Sequence, residues 1–197
     1  MAILWLSRPR KRIRGTWQLA SAKPETDRPM TTRRSTGKIQ VAKALWYIGP
    51  GKAELRPQPV PAPPLGEAQV QMLFSGISRG TERLVLAGTV GESEWQRMRA
   101  PLQEGNFPFP VKYGYCAVGR VNAGPDALLG KTVFCLHPHQ DWFNVTVDRL
   151  TVVSDAIPPR RATLVANMET SLNALWDSGA GPEIGRASCR ERVYPWV

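Results

Sequence analysis

Apolar and polar residues alternate along residues 68–75, and the alternation predicts a β-strand. Val70, Met72 and Phe74 fall on one side of this strand, and mostly polar residues fall on the other. Glycines then interrupt the pattern, and a short run of helix-forming residues follows. The stretch therefore predicts a strand that turns into a helix through a polar corner.

This corner carries hydroxyl, guanidinium and carboxylate side chains. We expect Thr81 to cap a helix over residues 82–87 by accepting a free backbone N–H, with Glu82 exposed in the first turn. An exposed Glu82 favours its charged form, so we expect it to orient Arg79, Arg83 or a backbone N–H rather than to act as a base. The residue types fit both a substrate site and an ordinary capped turn.

Turn-forming residues divide much of the remaining chain into short strands. Residues 44–48 and 53–56 flank a Gly-Pro-Gly-Lys turn and predict a β-hairpin. Five prolines between residues 57 and 64 exclude a helix or a central strand there. A Ser-x-x-Gln capping box at Ser93 predicts another short helix. Further strands are predicted at residues 111–121, 132–136, 141–147 and 150–153. We therefore expect a mainly β fold, a small and partly open β-barrel with short helices.

A helical pattern replaces the strands after Pro158. Pro159 suits the first turn of a helix, and apolar residues follow at helical spacing until Gly179. In the loop before the strand predicted at residues 111–121, we expect Phe107 and Phe109 to pack rather than to contact a ligand.

Positive charge is concentrated at the N-terminus. The formal net charge is +10, yet residues 44–182 contain twelve basic and twelve acidic residues. Residues 1–42 form a predicted disordered basic arm. It is either an arm that contacts nucleic acid or acidic surfaces, or sequence that precedes a true start near Met30. We favour the second interpretation, because the neutral domain offers no cooperating charge.

Cysteine use and hydropathy indicate the compartment. Cys116, Cys135 and Cys189 show no paired spacing, which is typical of a reducing cytoplasm rather than of a disulfide framework. No apolar run approaches the ~20 residues of a membrane span, so we expect a cytoplasmic protein without a membrane segment.

Four stretches in order resemble one known family. GISRGTE at residues 76–82 resembles the G-[IV]-C-x-[GS]-[TS]-D/E segment of the medium-chain dehydrogenase/reductase superfamily, the alcohol dehydrogenases and their relatives. GYCAVGRV at residues 114–121 resembles its G-H-E-x-x-G-x-V strand, and GKTVF at residues 130–134 resembles its G-D-x-V-x segment. TSLNAL at residues 170–175 resembles the helix that enters its nucleotide domain. The resemblance covers about residues 43–182, and within the superfamily the chain is similar to the zinc-free or zinc-doubtful branch, that of the bacteriochlorophyllide-type dehydrogenases.

This resemblance implies a GroES-like barrel and oxidoreduction of a small alcohol or carbonyl with NAD(P). Zinc-dependent members hold the metal with thiolate, imidazole and a further thiolate or carboxylate. The matching positions here are Ser78, Tyr115 and Cys116, with the third ligand position near Ala166. These side chains do not form a zinc site, so we expect no catalytic zinc.

Without zinc, hydrogen-bond donors would have to stabilise a developing alkoxide. The resemblance implies Ser78, Thr81 and Tyr115 as candidate donors, Glu82 as a further candidate catalytic residue, and Thr170 as a cofactor-binding residue.

Two histidines offer further interpretations. Cys135, His137 and His139 alternate, and a metal site on one strand face is one alternative. A proton relay through His137 or His139 is a second, and a proline-flanked loop with one exposed histidine is a third.

The expected organisation is a basic arm, a barrel over residues 43–154 and linking helices over residues 155–182. Residues 183–197 resemble translated sequencing-adapter sequence, and the G-x-G-x-x-G turn of a Rossmann domain does not follow. We therefore expect a fragment that is inactive alone, from an enzyme for which the resemblance allows a homodimer. The rival hypothesis is a non-catalytic barrel whose basic arm contacts nucleic acid.

Overall fold

Two antiparallel β-sheets make up most of the structure, a computed structural model that describes residues 39–179. The strands are β1 Gln40–Gly49, β2 Lys52–Val60, β3 Glu67–Ser75, β4 Glu104–Gly105, β5 Val111–Lys112, β6 Ala117–Ala123, β7 Thr132–Cys135, β8 Trp142–Thr146 and β9 Thr151–Val152. The α-helices are α1 Thr81–Ala87, α2 Pro159–Ala162 and α3 Val165–Ser178. The predicted mainly β, GroES-like partly open fold with short helices is confirmed. Residues 1–38 of the predicted arm, and the predicted tail, lie outside the described residues.

The sheets are built from strands that are distant in sequence. The first has the order β2-β1-β5-β4, and the second has the order β8-β3-β6-β7-β9. An isolated bridge between Ala44 and Gln140 connects β1 to the chain just before β8. Strand β3, which leads into the polar corner, is therefore paired on both sides, by β6 and by β8.

The first hairpin is longer than predicted. Strand β1 begins at Gln40, so residues that were assigned to the arm pair with β2. Strand β2 continues through Pro57 and Pro59 to Val60. This is consistent with the exclusion of a central strand, because β2 lies at the edge of its sheet, where a missing N–H is tolerated.

Burial along β3 follows the predicted alternation only in part. Val70 is fully buried, but Phe74 at the end of the strand is 40% exposed. Gln69 is buried, and its amide donates hydrogen bonds to the Pro61 carbonyl and to Asn144. Ala68, Gln69 and Val70 are all buried, so both faces of β3 are protected at its start.

Two predictions for the middle of the chain are wrong. The Ser93 capping box forms no α-helix, and only a 3-10 turn over Glu92–Glu94 is present. The Trp95 indole N–H donates to the Val90 carbonyl and its ring packs into a core cluster, so tertiary packing determines this segment. The strand predicted over residues 111–121 is divided into β5 and β6. As predicted, Phe107 is buried, and its ring packs against Tyr113 with centroids 5.7 Å apart.

The C-terminal part is helical as predicted, in two pieces. Pro159 occupies the first turn of α2, and Gly179 ends α3 with a left-handed φ of 64°. The apolar residues Leu164, Met168 and Leu172 of this region are exposed. Among residues 39–179, no helix combines the length and the apolar character that a bilayer crossing requires.

Candidate functional site

The polar corner between β3 and α1 is organised by Ser78. The Thr81 N–H donates to Ser78 Oγ over 3.2 Å, and the Glu82 N–H donates to the Ser78 carbonyl over 3.1 Å. Gly80 occupies the cap position of α1, and no side chain caps the helix from there. The prediction that Thr81 caps the helix is therefore wrong, because Ser78 already accepts the N–H groups of the first turn.

Glu82 is buried at the corner, whereas the sequence predicted it to be exposed. Its side chain is 1% exposed and accepts three hydrogen bonds. One carboxylate oxygen accepts the Tyr47 hydroxyl at 2.8 Å and His139 Nε2 at 2.6 Å, and the other accepts the Ser78 N–H at 2.7 Å. The expectation that Glu82 orients a backbone N–H is confirmed, and the partner is that of Ser78. Its two oxygens are therefore committed to holding the corner in place.

The ring of His139 links Glu82 to a hydroxyl on the opposite side. Because a carboxylate only accepts, Nε2 carries the proton, and in the neutral ring Nδ1 accepts from the Ser75 hydroxyl. Ser75 lines a shallow groove of about 300 Å³ together with apolar side chains. A continuous chain of hydrogen bonds thus runs from the groove through His139 and Glu82 to the backbone of Ser78.

Gly114 leaves the room that the His139 ring occupies. Its φ is 128°, and a Cβ atom there would lie 2.9 Å from both Cδ2 and Nε2 of His139. Real carbon atoms do not approach this closely, and an L-residue rarely adopts this φ.

We expect Gly114→Ala to lower the free energy of unfolding by about 1–3 kcal/mol, because it combines backbone strain with displacement of the ring. Urea unfolding measures the loss, and Gly130→Ala is the control. Gly130 also has a positive φ, of 71°, but nothing lies within 4 Å of its added Cβ. If both variants lose the same stability, only backbone strain is present and the close approach to His139 is contradicted.

The buried surroundings of Glu82 shift its neighbours toward their neutral forms. Burial, and then the charge of Glu82, raise the pKa of the Cys116 thiol to about 11. Burial and Glu82 also raise the pKa of the Tyr47 hydroxyl above its usual value. Burial raises the pKa of Tyr113 as well, with smaller contributions from Tyr115 and Glu82. Because their pKa values are raised, the Cys116 thiol and the Tyr47 and Tyr113 hydroxyl groups are protonated near neutral pH and are not anions.

The alternating set of Cys135, His137 and His139 does not converge on one point. His139 is directed to Glu82, whereas His137 stacks on Phe143 and its Nδ1–H donates to the Pro138 carbonyl. Burial raises the pKa of the Cys135 thiol to about 12. Both histidines are buried, so the alternative with one exposed histidine is wrong. Among residues 39–179, no group of three or more such side chains is placed to hold a metal ion.

The residues at the zinc-ligand positions do not fit zinc. Ser78 Oγ accepts an N–H of the helix start, and Cys116 is buried with a raised thiol pKa. Tyr115 packs its ring against Tyr113 and against core residues. Ala166 packs against the cluster that contains Cys116 and has no donor atom in its side chain. A hydroxyl, a phenol, a protonated thiol and a methyl group do not make a zinc site.

The structure brings three of the five predicted site residues together. Ser78, Thr81 and Glu82 are joined by hydrogen bonds at the corner. Tyr115 has no hydrogen bond to these residues, and its ring meets the ring of Tyr113 edge-on with centroids 6.3 Å apart. The Thr170 hydroxyl donates to the Ala166 carbonyl of its own helix over 3.0 Å, so its one hydroxyl hydrogen already takes part in a hydrogen bond.

Two side chains that bond to Glu82, Tyr47 and His139, were not predicted from the sequence to be its partners. Tyr47 lies 35 residues before Glu82 and was assigned only to the hairpin. His139 lies 57 residues after it and was one of several alternatives for a relay. No local pattern connects these positions, and only the alternation of Cys135, His137 and His139 drew attention to that segment.

A cleft of about 700 Å³ lies beside the corner, and we call it the arginine cleft. Its lining residues come from the corner, from α1 and from the segment that leads to Ala100, and they include Thr81 and Tyr113. The hydroxyl hydrogens of Ser78 and Thr81 have no acceptor among the described residues. The Thr81 hydroxyl lines the cleft and is thus available to a bound molecule, and Ser78 lies in the turn beside it.

Comparison with solved structures identifies the fold. A structure from Bacillus thuringiensis, described as an NADPH:quinone reductase, is 20% identical, and the match covers 71% of this chain and 41% of that chain with a TM-score of 0.54. The chain has the GroES-like fold of that protein. A short chain alcohol dehydrogenase from E. coli CFT073 in complex with NADH is 14% identical over 64% of this chain and 42% of that chain, with a TM-score of 0.48.

A quinone oxidoreductase from Coxiella burnetii also matches, with 14% identity over 63% of this chain and 40% of that chain and a TM-score of 0.46. The chain spans about two fifths of the length of these structures. No family model and no curated protein matches the chain.

Proposed function

We propose that this chain forms the substrate-side part of an NAD(P)-dependent oxidoreductase that acts on an alcohol or carbonyl without catalytic zinc. The observation that carries the proposal is the pair of uncommitted hydroxyl groups, Ser78 and Thr81, held by the buried Glu82 at the corner of a GroES-like fold. The likeness to the Bacillus thuringiensis NADPH:quinone reductase supports it through the fold.

The chain's own residues serve the oxygen of the substrate. When a carbonyl is reduced, negative charge develops on its oxygen, and fixed hydrogen-bond donors lower the barrier. Thr81 lines the arginine cleft, and Ser78 lies in the adjoining turn, where its Oγ accepts the Thr81 backbone N–H. Tyr115 is a third candidate donor, and its ring packs on Tyr113, which lines the same cleft.

Glu82 is a positioning residue in this account. It does not face the arginine cleft as a free base, because its oxygens accept from Tyr47, His139 and the Ser78 N–H. It fixes the backbone from which both hydroxyl groups project. Preorganised donors need no reorganisation during the reaction, which is the main advantage of such support.

The nicotinamide cofactor would supply the hydride. Residues 39–179 contain no G-x-G-x-x-G turn after a strand, and Thr170 bonds to its own helix, so these residues do not fit a dinucleotide. We therefore assign to the described residues only the substrate side of the reaction, and we expect the chain alone to be inactive.

The test uses the complete product of the gene that encodes this chain. We expect it to consume NADPH or NADH in the presence of quinones, aldehydes or ketones, and we expect the rate to stay within twofold after prolonged treatment with a zinc chelator. A zinc-dependent alcohol dehydrogenase, treated in parallel, is the control that must lose activity. Stoichiometric zinc in the purified protein, together with loss of activity on chelation, would contradict the zinc-free proposal.

A further inference from the structure

The arginine cleft concentrates positive charge at one place on a neutral domain. Arg79, Arg83 and Arg97 all line it. Residues 44–182 contain equal numbers of basic and acidic residues, so the excess in the cleft is local. Arg79 and Arg83 come from the corner and from α1, and Arg97 comes from the segment after the 3-10 turn.

Two of these three guanidinium groups have no acidic partner. Arg97 pairs with Glu94 on the surface, whereas Arg79 and Arg83 form no ion pair with any residue that the structure describes. Glu82 lies between them in sequence, but its oxygens accept from Tyr47, His139 and Ser78. Arg79 and Arg83 therefore remain as like charges four residues apart in sequence, with no acidic partner among the described residues.

Apart from the arginines and two threonines, the side chains that line the cleft are mostly apolar. Leu84, Ala87 and Met98 line it, and Leu84 is 45% exposed. The Tyr113 hydroxyl donates to the Met98 carbonyl over 2.7 Å, so this residue presents its ring to the cleft rather than a free donor. A cleft of about 700 Å³ lies in the size range of small-molecule sites.

The geometry points to a carboxylate-bearing, largely apolar substrate, with its carboxylate on Arg79 and Arg83 and its body against Leu84 and Met98. Guanidinium groups bind carboxylates through charge-assisted hydrogen bonds. Burial of an apolar surface against leucine and methionine side chains lowers the free energy of the complex. Thr81 lines the same cleft and bears one of the two free hydroxyl groups. This inference rests on the proposed function, and it names the class of its substrate as an organic acid.

The test measures binding to the complete 197-residue chain by calorimetry at low salt. Naphthalene-2-carboxylate is the probe, and the neutral naphthalene-2-carboxamide is its matched comparison. We expect the carboxylate to bind at least tenfold more tightly. Arg79→Gln and Arg83→Gln should each weaken it about tenfold, the loss of about 1.4 kcal/mol expected for a charged hydrogen bond. Arg120→Gln, which removes an exposed charge on β6 outside the cleft, should change nothing.

Three results would overturn the inference. Equal binding of carboxylate and carboxamide would show that charge is not recognised. Inorganic phosphate that binds as tightly as the naphthalene acid would show that the apolar walls contribute nothing. NADPH that binds in place of the acid, and is weakened by Arg79→Gln and Arg83→Gln, would assign the cleft to cofactor phosphates. The binding measurement needs no cofactor. If the carboxylate binds as expected but the complete gene product reduces no substrate, the proposed oxidoreduction is contradicted and the carboxylate site is not.

Discussion

Replacing Glu82 with alanine is expected to lower the free energy of unfolding by about 3–5 kcal/mol. The change removes the acceptor of three donors, the Tyr47 hydroxyl, His139 Nε2–H and the Ser78 N–H, in a place where the carboxylate side chain is 1% exposed. Water cannot easily replace an acceptor there. Because small domains have only about 5–15 kcal/mol of stability, urea should unfold the variant at a much lower concentration.

Glu82→Gln separates hydrogen bonding from charge at the same position. Its amide oxygen can accept the Ser78 N–H, and its amide nitrogen can donate to His139 Nε2 if the ring moves its proton to Nδ1 and donates to Ser75. We expect this variant to lose roughly 1–2 kcal/mol. Glu92→Ala, at an exposed glutamate, should stay within about 0.5 kcal/mol of the wild type. Equal losses for Glu82→Ala and Glu92→Ala would contradict the buried network.

The second large effect is a loss of stability on acidification, caused by His137. Burial lowers the pKa of His137 to about 3, although its bond to the Pro138 carbonyl opposes the shift. The unfolded chain takes up this proton near pH 6.5, whereas the folded chain does so only near pH 3. The contribution of His137 is therefore fully present above about pH 6.5 and declines as the pH falls toward 3, by about 1.4 kcal/mol per pH unit.

His137→Asn tests this effect, because its amide N–H can replace Nδ1–H toward the Pro138 carbonyl and the side chain does not titrate. Urea unfolding at pH 7 and pH 4.5 gives the change in stability for each protein. Acidic side chains contribute equally to both, so the wild type should lose about 2.5 kcal/mol more than the variant. If the two proteins lose the same stability, His137 is not held neutral by burial.

Local patterns in the sequence predicted most of the fold. The alternation in β3, the glycines around the first hairpin and the proline at the start of α2 act within a few residues, and their elements are present. The Ser93 capping box was contradicted because Trp95 and Met98 pack into a core cluster with Tyr113, and this burial outweighs the modest energy of a cap.

The candidate site was predicted less well, since its contacts join distant parts of the chain. The residue types at the corner indicated Ser78 and Thr81, but the burial of Glu82 depends on Tyr47 and His139, which only the folded sheets bring near. Thr81 was taken as the cap because it directly precedes the helical run. Ser78 takes this role through the bent backbone of the corner, which residue types alone do not reveal.

The central claim is that Ser78 and Thr81 donate hydrogen bonds to the reacting oxygen of the substrate. The most direct measurement is kcat/KM for NAD(P)H-dependent reduction by the complete gene product, with and without the double change Ser78→Ala and Thr81→Val. Thr146→Val, at an exposed threonine of β8, is the matched control, and thermal unfolding verifies that each variant is folded. The account predicts a fall of about 100-fold or more for the double variant and less than twofold for the control. A folded double variant with wild-type kcat/KM would contradict it.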